Sequence, residues 1–300
     1  SYSGADKMLD FRVETFLTVC QTMNYTTAAN LLHITQPAVS GHIRFLEEKY
    51  NTKLFAYKNK QLFLTQSGEI LKAHLITMKN DEKNMQDEIK SCNDDTEFFS
   101  LGVTMTVGEY AIVDKMANFL LSHPQMNMHI HYGNTSQLLK LLDEGQINLA
   151  IVEGNYPHNK YSHKKYSTEE YIAVSAANHN FAVGKPERVN DLLGERLLVR
   201  EKGSGTRNIL ENSLTALGLQ ISDFVRYTQV ENMHTIISLL KKDCGISFMY
   251  KTAVEDELKA GVLKEIKLND FKILHDFDFI WEKDSVYSNK YLSFCEEFAK

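Results

Sequence analysis

The pattern of apolar positions changes character three times along the chain. From Asp10, the residues Phe16, Val19, Cys20 and Met23 recur at the spacing of one helical face. Asn24-Tyr25 interrupts the pattern. Thr26 is placed to cap a short second helix, Thr27 to His33, whose small Ala28 and Ala29 let another helix approach and whose Leu31 and Leu32 add apolar surface. After a turn at Ile34, Thr35 is a good N-cap, with Pro37 tolerated in the first turn. The third helix then points Val39, Ile43, Leu46 and Tyr50 at a core and carries Gln36, Ser40 and Arg44 on the opposite face, beside Gly41 and His42. Two short apolar segments follow around Lys58-Asn59-Lys60 and predict a small β-hairpin.

The second regime is a long, charged, proline-free helix from Glu69 to about Cys92. Leu71, Leu75, Met78, Glu82, Met85 and Ile89 alternate steps of four and three, a heptad seam with one acidic interruption. A helix lying on its own domain fits this pattern, and so does one pairing with a second copy. A polar surface nearly all round and a narrow stripe favour the pairing. Asn93-Asp94-Asp95-Thr96 ends the helix and marks a hinge.

In the third regime strands alternate with helices. Phe98 to Thr104, Met126 to Tyr132 and Ile147 to Val152 read as strands. Between them lie one helix through Val113, Met116, Phe119 and Leu120 and another with Leu138, Leu139, Leu141 and Leu142. A second unit runs through Tyr171 to Ala176, Arg196 to Arg200, a helix after Gly205, Phe224 to Val230 and Ile246 to Met249. The strand Phe277 to Trp281 and a terminal helix, Asn289 to Ala299, return to the first unit. Such a βαβ series predicts a parallel sheet in each of two lobes that enclose a cleft.

Composition narrows the function. The 300 residues allow two or three domains, and 43% hydrophobic with 24% charged content is ordinary for a globular chain. No apolar run is long enough for a membrane span, and no basic-then-apolar leader is present, so the expected location is the cytoplasm, with no membrane partner. Ser1 to Lys7 fit neither a helix nor a strand pattern. The cysteines Cys20, Cys92, Cys244 and Cys295 are scattered, which argues against a zinc site or a disulfide framework. The net charge of −6 weighs against nucleic acid only until its distribution is considered: from Lys7 to Lys60 the basic residues slightly outnumber the acidic ones.

Candidate chemistry falls in two places. Gln36 can pair bidentately with adenine, Arg44 with guanine and Ser40 with either, and the N-terminal end of such a helix enters the major groove. A hairpin placed after it is a wing whose Lys58 and Lys60 reach phosphates or the minor groove. In the last regime, three hydroxyl-rich loops lead towards helix N-termini: Thr104-Met105-Thr106, Asn134-Thr135-Ser136 and Gly203-Ser204-Gly205-Thr206-Arg207. Free N–H groups there favour an anion, and Arg207 can add charge or hold its loop. Glu153 and Glu231 follow strands and border the same cleft. His129 and His131 share a strand face without a third ligand in register, so no metal is expected. No Ser/His/Asp set, phosphate loop or metal constellation points to an enzyme, and catalytic residues are not expected.

These segments resemble the LysR-type transcriptional regulators. The likeness rests on Tyr25-Thr26-Thr27-Ala28-Ala29-Asn30-Leu31-Leu32, on Thr35-Gln36-Pro37-Ala38-Val39-Ser40 with Ile43, Leu46 and Glu47, on Leu54-Phe55, and on Leu64-Thr65 with Gly68. It extends over nearly the whole chain. The resemblance implies that Thr35, Gln36, Pro37, Ser40 and Arg44, with His42 beside them, lie at a double-stranded DNA surface. It also implies an α/β chain with an N-terminal winged helix-turn-helix (8–66), a linker and dimerisation helix (67–95) and a two-lobed periplasmic-binding-protein-like effector domain (96–300). Lobe I takes about 96–168 and 273–300, lobe II about 169–272. The implied partners are a homodimer mate through the linker, a homotetramer and, as a further candidate, RNA polymerase. The run Arg200 to Arg207 resembles members controlling carbon-fixation and sulfur-assimilation genes, which suggests a small anionic metabolite as effector and no other cofactor. Three departures stand out. Gly41 replaces a long polar or basic residue, Tyr57 replaces an Arg, and Cys244 stands in a turn that is commonly glycine-rich, where a packed, inert thiol is expected rather than a redox centre. Two rival readings remain: a regulator with a vestigial cleft controlled by a protein partner, and an enzyme built on the two lobes.

Overall fold

The computed structural model describes residues 9–94, 97–153 and 156–299. The segment Ser1 to Lys7 and the hinge residues Asp95 and Thr96 lie outside the described residues. The chain opens with α1 (Phe11–Thr22), α2 (Tyr25–Leu32) and α3 (Gln36–Tyr50), followed by the hairpin β1 (Phe55–Lys58) and β2 (Gln61–Leu64). Phe16, Val19, Ala28 and Val39 are fully buried where the three helices meet, with Ile43, Leu46 and Leu54 closing the core.

Two local expectations need correction. Met23 adopts the left-handed conformation that ends α1, which leaves Asn24 extended, and Asn24 rather than Thr26 caps α2 by accepting the Thr27 N–H at 2.9 Å. Tyr50, expected in the core, is half exposed because α3 runs on past the layer of α1 and α2. The Lys49 ammonium lies 5.7 Å from the centre of its ring. Leu31 is also exposed.

The hairpin turns through Asn59 and Lys60, both at positive φ, as a two-residue connection between right-twisted strands demands. It is anchored to what surrounds it. Glu47 accepts from the Leu54 N–H at 3.0 Å. Thr65 Oγ1 donates to the Lys53 carbonyl at 2.6 Å and accepts from the Gly68 N–H at 3.0 Å. Gly68 is obligatory by contact: a Cβ there would stand 2.2 Å from the Leu54 carbonyl oxygen.

Helix α4 (Gln66–Asp94) leaves this domain and crosses to the next. Leu75 and Ile76 are buried in the first core. Farther along, Asn80 donates to the Leu142 carbonyl at 3.1 Å and Asn84 to the Tyr291 hydroxyl at 2.7 Å, so one face of α4 lies on the chain's own second half. Met78 and Ile89 of the expected seam fall on the opposite side at 3.6 residues per turn and are exposed. Glu82 accepts from the Leu9 N–H. The seam is therefore divided between contacts within the chain and an open stripe.

The second half contains, in order, β3 (Glu97–Val103), α5 (Val113–Ser122), β4 (Met126–Tyr132), α6 (Thr135–Asp143), β5 (Leu149–Glu153), β6 (Tyr161–Ala176), β7 (Arg196–Val199), α7 (Gly205–Ala216), β8 (Arg226–Gln229), α8 (Met233–Lys241), β9 (Ile246–Tyr250), α9 (Glu255–Lys259), β10 (Leu263–Ile266), β11 (Ile273–Glu282) and α10 (Ser288–Phe298). A π-helical turn, Val107–Ala111, precedes α5. These strands form one mixed sheet in the order β4-β3-β5-β11-β6-β9-β7-β8, with β10 paired to β6. The groups β4-β3-β5 and β8-β7-β9 are parallel within themselves, as the βαβ pattern predicts. The long β6 and β11 pair antiparallel and tie the two groups together. Cys244, expected to be packed, is exposed because it lies in the surface turn after α8, beside Asp243 at φ 58°.

Candidate functional site

Two surfaces bring candidate residues together. On α3 the first is built by its cap. Thr35 accepts the Ala38 N–H at 3.3 Å, starting the helix at Gln36 with Pro37 in its first turn. Thr35, Gln36, Pro37 and Arg44 are exposed, Ser40 is half-buried, and Gln36 Nε2 donates to Ser40 Oγ at 2.9 Å. Lys58 and Lys60 are exposed on the hairpin. Among the described residues no ion pair engages Arg44, Lys58 or Lys60. Gly41 is exposed, and a Cβ on it would meet nothing within 4 Å, so the surface has room for the longer side chain that this position lacks. His42 does not join this face. Its Nδ1 lies 2.9 Å from Thr15 Oγ1 and its ring packs edge-on against Phe11, while burial and the nearby Arg12 charge lower its pKa.

The second surface lies beyond the carboxyl ends of β3, β4, β5, β7 and β8, where open α/β sheets hold ligands. A cavity of about 230 Å³ is lined by Thr135, Ser136, Glu153, Gly203, Gly205 and His275, together with Asn208, Ile209, Asn212 and Ser213 along α7. The two halves touch beside it: Thr106 Oγ1 lies 3.2 Å from Thr206 Oγ1. Thr135 Oγ1 donates to the Glu153 carbonyl at 3.0 Å and fixes the start of α6 to the end of β5.

The two helix ends at the cavity differ. Asn134 and Gln137 form a capping box at α6, which already engages two N–H groups. Ser204 is buried at the N-cap of α7 but makes no side-chain cap bond, so the first N–H groups of α7 have no capping side chain. Arg207 holds the loop rather than facing the cavity. It donates through Nη1 to the Arg200 carbonyl (2.9 Å) and to Gln229 Oε1 (2.8 Å), and through Nε to Glu211 (2.7 Å). Arg200 is forked onto Glu201 at 2.8 and 3.0 Å.

Glu153 closes the floor. It is 3% exposed, and its Oε2 has no hydrogen-bond partner among the described residues. Burial pushes its carboxyl up to about 7, against the pull of the Arg200 charge and of the Thr106, Thr206 and Tyr250 hydroxyls. Thr104 Oγ1 is likewise buried without a partner, and Met105 is half-buried beside it. Glu231 is exposed and does not line the cavity. Sequence reasoning did not single out Asn208, Asn212, Ser213 or His275. The alternation of polar residues along α7 was available as a signal; His275 arrives on β11 from a distant part of the chain. Tyr250 is fully buried, and its hydroxyl lies 3.2 Å from His275 Nδ1.

Comparison with known proteins assigns both domains. Residues 12–69 match the bacterial regulatory helix-turn-helix protein, lysR family, and residues 95–300 match the LysR substrate binding domain. A probable RuBisCO transcriptional regulator of Emiliania huxleyi is 26% identical, covering 93% of this chain and 90% of its own. The HTH-type transcriptional regulator CysL of Bacillus subtilis is 24% identical, covering 89% of each. A full-length OxyR variant from Pseudomonas aeruginosa superposes with a TM-score of 0.58 at 18% identity, over 97% of this chain and all of its own. The CcmR regulatory domain of Synechocystis, solved with 2-PG, gives 0.59 at 18% identity over 68% of this chain and 98% of its own. At such identities the two structures speak for the fold. No helix among the described residues is long and apolar enough to cross a membrane. The chain belongs to the LysR family: it is a DNA-binding transcription regulator with an effector-binding domain, and not an enzyme.

Proposed function

We propose that this regulator answers to a small metabolite that presents an anionic group to the first turn of α7, in the cleft lined by Thr135, Ser136, Gly203 and Gly205. The observation that carries the reading is the uncapped start of α7 opening on a cavity between the two halves. Hydroxyls and N–H groups at a helix start favour an anion without requiring a lysine or arginine. The 2-PG bound in the CcmR regulatory domain supports the same chemistry. The ligand acts by preferring one angle between the halves, since only differential affinity shifts such an equilibrium. Helix α4 contacts both domains and transmits the change.

In this reading the working division is 8–66 for DNA, 67–95 for the linker and 96–300 for the effector. The exposed Met78 and Ile89 stripe pairs with a second copy, and pairs of dimers give a tetramer. Two reading helices then address half-sites on one duplex in the cytoplasm, within reach of RNA polymerase. Gln36, Ser40 and Arg44 read base edges, while Lys58 and Lys60 hold phosphates.

The test is thermal shift of the full chain with phosphorylated acids, dicarboxylates and α-amino acids, repeated on Ser204→Ala and Ser136→Ala. A stabilising compound whose effect falls several-fold in both variants is expected. No stabilising compound, or one indifferent to both substitutions, contradicts the cleft reading and favours control by a protein partner.

A further inference from the structure

The lining of the cleft is short of positive charge in a way that bears on what can enter it. Among the described residues that line the cavity none is Lys or Arg. Arg200 and Arg207, which flank the loop, are committed to Glu201 and to Glu211 with Gln229, and the exposed Lys202 is not among the lining residues. His275 faces the cavity, and burial lowers its pKa. Among the described residues the one carboxyl in the lining is Glu153, buried, with no hydrogen-bond partner on Oε2. A purely anionic ligand at α7 would place its charge beside this carboxyl with no Lys or Arg of the described lining between them.

The arrangement is also local. A Cβ built on Gly205 would lie 3.0 Å from Glu153 Cγ and 3.3 Å from its Oε1, so the carboxyl abuts the first residue of α7. A site for an anionic group and a site for a hydrogen-bond donor are thus side by side. One compact molecule that carries both groups on adjacent atoms matches them, and the cavity of about 230 Å³ is smaller than the roughly 300–1,000 Å³ of sites for larger ligands.

We infer that the effector is an α-amino acid or a close relative, its carboxylate at the uncapped start of α7 and its ammonium on Glu153. This rests on the cleft reading above and deepens it by naming the second group that the ligand must carry. Glu153 is then the specificity residue of the site. Its neighbours Arg200, Tyr171, Tyr250 and His275 offer no second carboxylate, and an ammonium supplies the partner that Oε2 lacks. Because burial holds part of the Glu153 population protonated near neutral pH, binding an ammonium ionises the carboxyl and releases a proton.

The experiment is isothermal titration of the full chain with the L-α-amino acids, with their α-hydroxy acid counterparts, and with the dicarboxylates and phosphorylated acids used above. It is run in two buffers of different ionisation enthalpy. At least one amino acid is expected to bind. Exchange of its amino group for hydroxyl, or Glu153→Gln, should weaken it tenfold or more, and proton release should be greatest below the carboxyl's pKa of about 7, about half a proton there, and vanish as pH rises above it. If purely anionic compounds bind and Glu153→Gln leaves them unchanged or tighter, the inference falls while the cleft reading stands. An amino acid that binds without proton release and equally well as its hydroxy counterpart overturns it too, whether or not the Gln variant folds. If no compound of any class binds, both readings fall.

Discussion

The reading domain and the effector cleft each present a helix N-terminus, yet they treat charge in opposite ways. On the reading face Arg44, Lys58 and Lys60 are exposed, and among the described residues none is held by an acid. Near the cleft the cations Arg200 and Arg207 are buried, Arg200 forked onto Glu201 and Arg207 held by Glu211, and among the described lining residues the buried atom left without a partner belongs to an acid, Glu153. The first arrangement suits a polyanion met in water, where long-range attraction and counterion release supply the affinity. The second suits a small molecule stripped of water, where each buried polar atom must find a partner and an unmatched one costs about 1–3 kcal/mol. Open charge attracts every duplex alike; buried, unmatched polarity selects one ligand.

The comparison can be broken at three places, taken from the largest effect downward. Gly68→Ala forces a side chain onto the Leu54 carbonyl and should cost the reading domain about 3 kcal/mol, in the range of overpacking. Calorimetry should show its transition fall while that of the effector domain stays in place.

Glu153→Gln tests the other domain through pH. A buried acid with a raised pKa stabilises the fold fully below its ordinary value and loses that contribution as pH rises towards about 7. At roughly 1.4 kcal/mol per unit, the wild type should lose about 3 kcal/mol relative to the Gln variant between pH 4 and pH 8. Parallel denaturation curves at both pH values would contradict the buried, unpaired carboxyl. Lys58→Ala should weaken binding to every duplex equally and flatten the dependence of log K on log salt by about 0.9. A change confined to one sequence would move Lys58 from the phosphates to the bases.

Much of this was legible in the sequence because local chemistry and packing agree there. The three reading helices declare themselves through Phe16, Val19, Ala28, Val39 and Ile43, which have one core to face. Strand β4 coincides with its predicted span because Met126 to Tyr132 is apolar and polar by turns and bounded by turn residues. The hydroxyl loops at α6 and α7 were visible because Asn, Ser and Gly are what helix starts require.

The rest depends on long-range placement. The first ten residues of β6, from Tyr161 to Glu170, are so rich in charge that they read as a loop, and only pairing with β11 makes them a strand. Residues 263–266 are too short for periodicity, yet they add a strand to β6. His42 has the spacing of a reading residue, but Thr15 and Phe11 on another helix claim it. His275 reaches the cleft from 62 residues beyond Ser213, the nearest other lining residue in sequence, and Glu231, adjacent to a cleft strand in sequence, is exposed and does not line it. The unmatched charge of Glu153 is a property of its surroundings and cannot be seen one residue at a time.

The central claim is that α3 reads DNA through Gln36, Ser40 and Arg44. It is tested most directly by selecting bound duplexes from a random pool with the wild type and with Gln36→Ala. The wild type should enrich one two-fold motif, and the variant should retain salt-dependent binding but lose enrichment at the base pair that Gln36 contacts, a discrimination of about 1–3 kcal/mol. Recovery of the same motif with the same enrichment by Gln36→Ala would contradict the account, because the face of α3 that carries Gln36 would then not be the one turned to the bases.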